Sequence, residues 1–92
     1  MIVSFRHKGL QDLFESGAPR GVNPHHAGKL RLQLAALDSA QEVMDMDVPG
    51  FRLHAVKGTM KNRWSISVDQ NWRITFEFRD ANAYVLDYED YH

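Results

Sequence analysis

Hydrophobic positions along the chain repeat at two different spacings. In the first half, Leu10, Leu13 and Phe14 recur at i, i+3 and i+4, which predicts a short amphipathic helix. Gly17, Pro19 and Gly21 break it. Asn23-Pro24 reads as a restart: an N-cap acceptor, then proline at the first helical position, where its missing N–H costs nothing. Ala27, Leu30, Leu34 and Leu37 line one face of a helix expected to end near Leu37. Asp38 or Ser39 is expected to cap a further short turn through Glu42 and Val43. Ile2, Val3 and Phe5 point to an opening strand, and Pro49-Gly50 closes the helical half.

Beyond Gly50 the period changes from 3.6 to 2. Trp64, Ile66 and Val68 alternate with Ser65 and Ser67, and Trp72, Ile74, Phe76 and Phe78 alternate with Arg73, Thr75 and Glu77. Tyr84, Leu86 and Tyr88 alternate with Val85, Asp87 and Glu89, and residues 53–56 make a further strand. Polar stretches at 59–63, 69–71 and 79–82 are short enough to join antiparallel neighbours. One sheet face is therefore expected under the helices and the other in water. The fold class is α+β, a small antiparallel sheet with N-terminal helices packed on one face, in a single domain over residues 1–92.

Composition narrows the class. A chain of 92 residues that is 43% hydrophobic and 25% charged is globular, not disordered. With no cysteine it has neither a disulfide framework nor a thiolate metal site. Eleven Lys+Arg against twelve Asp+Glu leave a net charge of −1, so a nucleic-acid contact would need a local cluster of cations. The lack of a long apolar run argues against a membrane span or a signal peptide, and the expectation is a soluble, cytoplasmic protein.

The outer sheet face carries the candidate chemistry. Strand parity places Ser65, Ser67, Arg73 and Thr75 there, and His54 alternates with Leu53 and Ala55 to face the same way. Lys57 follows at the strand end, and Tyr91 shares the parity of Asp87 and Glu89. Parity turns Asp90 and His92 toward the helix side, at a chain end where the strand can curl. A solvating charge is the commoner role for an exposed Lys or Arg, His25-His26 reads as a solvated first turn, and the aromatic alternation reads as core. His54, Asp90 and His92 have no recognised metal-ligand spacing, and no metal or other cofactor is expected. Neither a nucleophile elbow nor a P-loop occurs. Proton-transfer groups beside cations suit cleavage of RNA, whose own 2′-OH can act as nucleophile.

The sequence Pro49-Gly50, Leu53-His54, Lys57-Gly58, Trp64-Ser65-Ile66, Asn71-Trp72-Arg73-Ile74-Thr75-Phe76 and Asp90-Tyr91-His92 resembles the HigB toxins, a branch of the RelE/ParE-like toxin superfamily. Met1-Ile2-Val3-Ser4-Phe5 and Leu13-Phe14 extend the resemblance over nearly the whole chain. It implies the toxin of a type II toxin–antitoxin pair, an endoribonuclease that cuts messenger RNA in the ribosomal A site and is silenced by a helix-turn-helix antitoxin. The family's functional positions fall on His54, Lys57, Arg73, Asp90, Tyr91 and His92. The chain departs from it at Thr59-Met60-Lys61-Asn62-Arg63, where relatives tend to carry an acidic-Arg-x-Gly turn; Lys61 or Arg63 would then supply the cation. As the last residue, His92 is expected to feel its own α-carboxylate, which favours the imidazolium. Two alternative readings are a ParE-like toxin acting on DNA gyrase, which shares the fold but needs no proton-transfer cluster such as His54 and Asp90-Tyr91-His92, and a non-catalytic binding module whose open face is only an interface.

Overall fold

The computed structural model describes residues 1–58 and 62–91. Helix α1 spans Lys8–Ser16. His7 caps it, its Nδ1 accepting the Leu10 N–H at 3.0 Å, and Gly17 ends it at φ 78, where its N–H reaches the Leu13 carbonyl. Helix α2 spans Ala27–Ser39, starting later than the Asn23-Pro24 signal implied. Asn23 instead organises a separate turn, its side chain accepting from His25 N–H and its carbonyl from His26 N–H. Nor does Asp38 or Ser39 cap the next turn. Both lie within α2, Asp38 accepts the Ile2 N–H at 2.9 Å, and Glu42 caps the 3₁₀ turn Val43–Met46 in a reciprocal box with Asp45.

Four strands follow: β1 His54–Ala55, β2 Arg63–Ser67, β3 Trp72–Arg79 and β4 Asn82–Asp90. They form one antiparallel sheet in sequence order. β1 is shorter than the 53–56 pattern suggested, and Arg63 belongs to β2 rather than to the preceding connection. The opening segment makes only isolated parallel bridges, Ile2 to Ala83 and Phe5 to Leu86, alongside β4. Leu10, Leu13, Leu30, Leu34 and Leu37 meet Ile66, Ile74, Phe76 and Leu86 in one buried cluster. Trp64, Trp72 and Phe78 are half-buried at its margin. No helix is long and apolar enough to cross a membrane among the described residues.

Two departures shape the outer face. Register slips between Thr75 and Glu77, so that β4 holds an extra residue there and Val85 adopts φ 53. The bulge moves Tyr84 off the face of Leu86 and Tyr88: it pairs with Glu77, and its ring lies under Arg79 at 3.8 Å. The second departure is burial. Ser65, Ser67 and Thr75 lie on the outer face as parity requires, yet all are buried. Arg63 and His54 reach hydroxyls of this row and shield them, so the outer face has a dry polar floor in place of an open surface.

Candidate active site

Register fixes the layout of the face. His54, Ser65, Thr75 and Asp87 stand opposite one another across the four strands, and Ser67, Arg73 and Glu89 form the adjacent row. With strands about 4.8 Å apart and about 3.4 Å of rise per residue, the backbones of His54 and Arg73 are separated by roughly 12 Å. Side chains of their length can approach a common substrate from the two ends of that span.

His54 is exposed at the sheet edge. Its Nδ1 is 2.9 Å from the Arg52 carbonyl, which only accepts, so Nδ1 carries a proton, and in the neutral ring Nε2 carries the lone pair. Ser65 Oγ lies 2.9 Å from Nε2 and 3.4 Å from Nδ1. An oxygen in line with the Nε2 lone pair would stand far from Nδ1, so this hydroxyl rests against the ring. The outward direction of Nε2 is not the Ser65 direction.

Arg73 is held on two sides. Its Nε and Nη2 both approach Glu89 Oε1, at 3.2 and 3.1 Å, and its guanidinium lies 5.0 Å from the Tyr91 ring centroid. Tyr91 is placed by its N–H donating to the Asn71 carbonyl at 2.7 Å, and 41% of it is exposed. Arg63, read from the sequence as a loop cation, is instead 6% exposed. It donates from Nη2 to Thr75 Oγ1 at 2.8 Å and from Nη1 to the Val85 carbonyl at 2.9 Å. The bulge thus turns a carbonyl toward this guanidinium. Lys57 is exposed beside Val56, and Val56 and Arg63 border both the hollow at Lys57 and the one at Arg73.

The structure therefore brings Arg73, Tyr91, Arg63 and Thr75 together and sets His54 on the same face, at the β1 edge, while Lys57 lies beyond β1 in a hollow it shares with Ala55, Arg63 and Trp64. Asp90 pairs with Trp72 at the end of β4 and is exposed on the other side of the strand. His92 and Lys61 lie outside the described residues. Among the described residues no group of three or more His, Asp or Glu side chains is arranged to hold a metal ion. Sequence reasoning missed Arg6, which reaches this face from the opening segment and pairs with Asp87 at 3.8 Å. No periodicity marks a residue delivered by an irregular segment; the Arg73–Glu89 contact, by contrast, follows from strand register.

It also missed His26, taken as solvated with His25. His26 is buried, with Nε2 2.6 Å from Asp69 Oδ2 and Nδ1 2.6 Å from the Tyr88 hydroxyl. Asp69 also accepts the Asn71 and Trp72 N–H groups. Those backbone bonds, Asn71 first, and the His26 bond hold its carboxyl below the usual range despite some desolvation. This cluster ties α2 to the β2–β3 turn on the helix side of the sheet.

The family of RelE-like toxins of the type II toxin–antitoxin system HigB matches residues 3–92. The chain is 46% identical to Endoribonuclease HigB of Proteus vulgaris over 92 residues, the full length of both proteins. It is 29% identical to Toxin HigB-1 of Vibrio cholerae over 85 residues, 90% of each chain. The chain belongs to the HigB-like family of RelE-like type II toxins.

Proposed function

We propose that this toxin is an endoribonuclease that cleaves messenger RNA in the ribosomal A site, with the outer sheet face as its active site. The observation that carries the site assignment is Arg73, whose guanidinium is stacked on Tyr91 and anchored by Glu89 on the face that also bears His54. The relative in Proteus vulgaris is named an endoribonuclease over the same full length.

The RNA 2′-oxygen attacks the adjacent phosphorus, the bond to the 5′-oxygen breaks, and that oxygen leaves with a proton from the enzyme. The products are a 2′,3′-cyclic phosphate and a 5′-hydroxyl. His54, with Nδ1–H held by the Arg52 carbonyl, presents an unprotonated Nε2 for the 2′-OH proton. His92 is the partner acid in this reading; the reverse assignment, or Asp90 as base or as the group orienting a histidine, uses the same groups. Arg73 and Lys57 hold the scissile phosphate, Arg73 through its planar fork. Arg63 adds positive charge from below, Lys61 adds it from the connection before β2, and Tyr91 stacks on a base.

Nothing in this reaction requires a cofactor, because the substrate supplies the nucleophile. With a net charge of −1 the chain has no strong field of its own to gather RNA, which fits presentation of the message by the ribosome. The silencing partner is an antitoxin, proposed to carry a helix-turn-helix domain. The test is incubation of purified toxin with programmed ribosomes and with the same RNA alone. Cleavage only on ribosomes, leaving a 2′,3′-cyclic end by mass spectrometry, supports the reading; equal cutting of bare RNA removes the ribosome from it, and 5′-phosphate products overturn the 2′-OH mechanism.

A further inference from the structure

Three guanidinium groups from separate stretches of chain border one cavity of about 130 Å³ on the outer face: Arg6, Arg63 and Arg73, with Thr75, Val56 and Glu89 completing the wall. Arg6 is carried in by the opening segment, which the Phe5–Leu86 bridge and the Arg6 N–H to Leu86 carbonyl bond (2.8 Å) fasten beside β4.

Their charges are incompletely answered. Buried Arg63 hydrogen-bonds a hydroxyl and a carbonyl, both neutral, while Glu77 stands 3.8 Å from its Nη1, beyond hydrogen-bond distance. Arg6 is also 3.8 Å from its carboxylate, Asp87, and 66% of its side chain is exposed. Glu89 engages Arg73 through a single oxygen at Nε and Nη2, leaving Nη1 uncommitted to that bond. A guanidinium presents fixed donors that match phosphate oxygens, and each gains strength where the wall is partly dry. The space is well below the roughly 300 Å³ at which small-molecule pockets begin, so it suits one phosphate group and not a base.

We propose that this cavity is a second phosphate subsite, which takes a backbone phosphodiester next to the scissile one and uses Arg6 as its outer clamp. This rests on the nuclease reading above: Arg73 stands between the two phosphates, while Arg6 serves only the second. Glu89 supplies opposing charge, keeping the subsite weak until RNA is delivered.

The experiment measures binding of the full chain to a short single-stranded 2′-O-methyl RNA, which cannot be cleaved, across a salt series by fluorescence anisotropy. One phosphate contact contributes about 0.7 to the slope of log K against log salt for single strands. Arg6→Gln is expected to lower the slope by about that amount, whereas Arg79→Gln, which removes an equal charge beside Tyr84, leaves it unchanged. An unchanged slope in Arg6→Gln, an equal drop in Arg79→Gln, or no measurable binding by the wild type at low salt would overturn the subsite. A parallel assay on programmed ribosomes keeps the two readings apart. Messages left uncut by the wild type sink the nuclease reading whatever the slopes show, and cut messages with identical slopes sink the subsite alone.

Discussion

His26 Nε2 lies 2.6 Å from Asp69 Oδ2, joining the residue that precedes α2 to the turn between β2 and β3. The other ring nitrogen meets the Tyr88 hydroxyl at 2.6 Å, and the Asn23 N–H reaches the same oxygen at 3.3 Å. With Nε2–H donating to Asp69, Tyr88 donates to Nδ1 and accepts from Asn23, which satisfies every member. Burial pushes the Tyr88 phenol up, so it keeps the proton it donates. Tyr88→Phe would leave the buried His26 nitrogen without its donor. It should cost about 1–3 kcal/mol in urea denaturation, whereas exposed His25→Ala should change stability little.

The same cluster sets an acid limit. Asp69 is held below its unfolded value of 3.8 by Asn71 N–H, the His26 ring and Trp72 N–H. A depressed carboxyl contributes stability that is present above the unfolded pKa and lost as pH falls through the folded one. Melting temperature followed through the acid range should therefore drop on the low-pH side of 3.8 in the wild type. Asp69→Asn should flatten that part of the curve.

Close backbone contact gives a paired prediction. A Cβ on Gly9 would stand 2.3 Å from the Gly21 carbonyl oxygen, a clash of backbone with backbone that no side-chain motion relieves. Gly9→Ala should cost at least about 1–3 kcal/mol by overpacking. Gly28, inside α2, has nothing within 4 Å of the same added atom. Gly28→Ala should raise stability by about 0.5–1 kcal/mol through the better helix propensity of alanine. Thermal denaturation of the two variants checks both signs.

At the site, Tyr91 separates stacking from hydroxyl chemistry. Tyr91→Phe keeps the ring beneath Arg73 and should retain most of the cleavage rate. Tyr91→Ala removes the platform for both Arg73 and a base, a loss of about 1–3 kcal/mol per stacked base. A kinetic series on programmed ribosomes would distinguish the pair; a rate lost equally in both variants would put the hydroxyl, not the ring, in the reaction.

Much of this was legible in the sequence because alternation and helical spacing record which side of an element is dry. Leu30, Leu34 and Leu37 fell on the core face, and Arg73, Thr75 and Ser65 on the outer face, from spacing alone. Tyr84 did not, because one extra residue in β4 reverses parity, and Val85 carries no glycine-like signal for the positive φ that makes the bulge. Arg63 was read as a loop cation and His26 as solvated because charge and polarity are visible in a sequence while partners are not. Each is buried by hydrogen-bond partners far along the chain, Thr75 and Val85 for one, Asp69 and Tyr88 for the other. His54, Lys57, Asp90 and His92 were singled out with the help of family resemblance; strand parity supplied the face of His54 and no role for any of them.

The central claim is that the outer face cuts RNA, and primer extension on cellular messages tests it most directly. Wild type, His54→Ala and Arg73→Ala would be induced to equal levels, with folding checked by circular dichroism. New 5′ ends inside coding regions are expected with the wild type. Each variant should show those ends reduced by a factor on the order of 10² or more, the usual scale for losing an acid–base or charge-stabilising group. Messages that stay intact while wild-type cells arrest, or variants that cut as well as the wild type, would contradict the account.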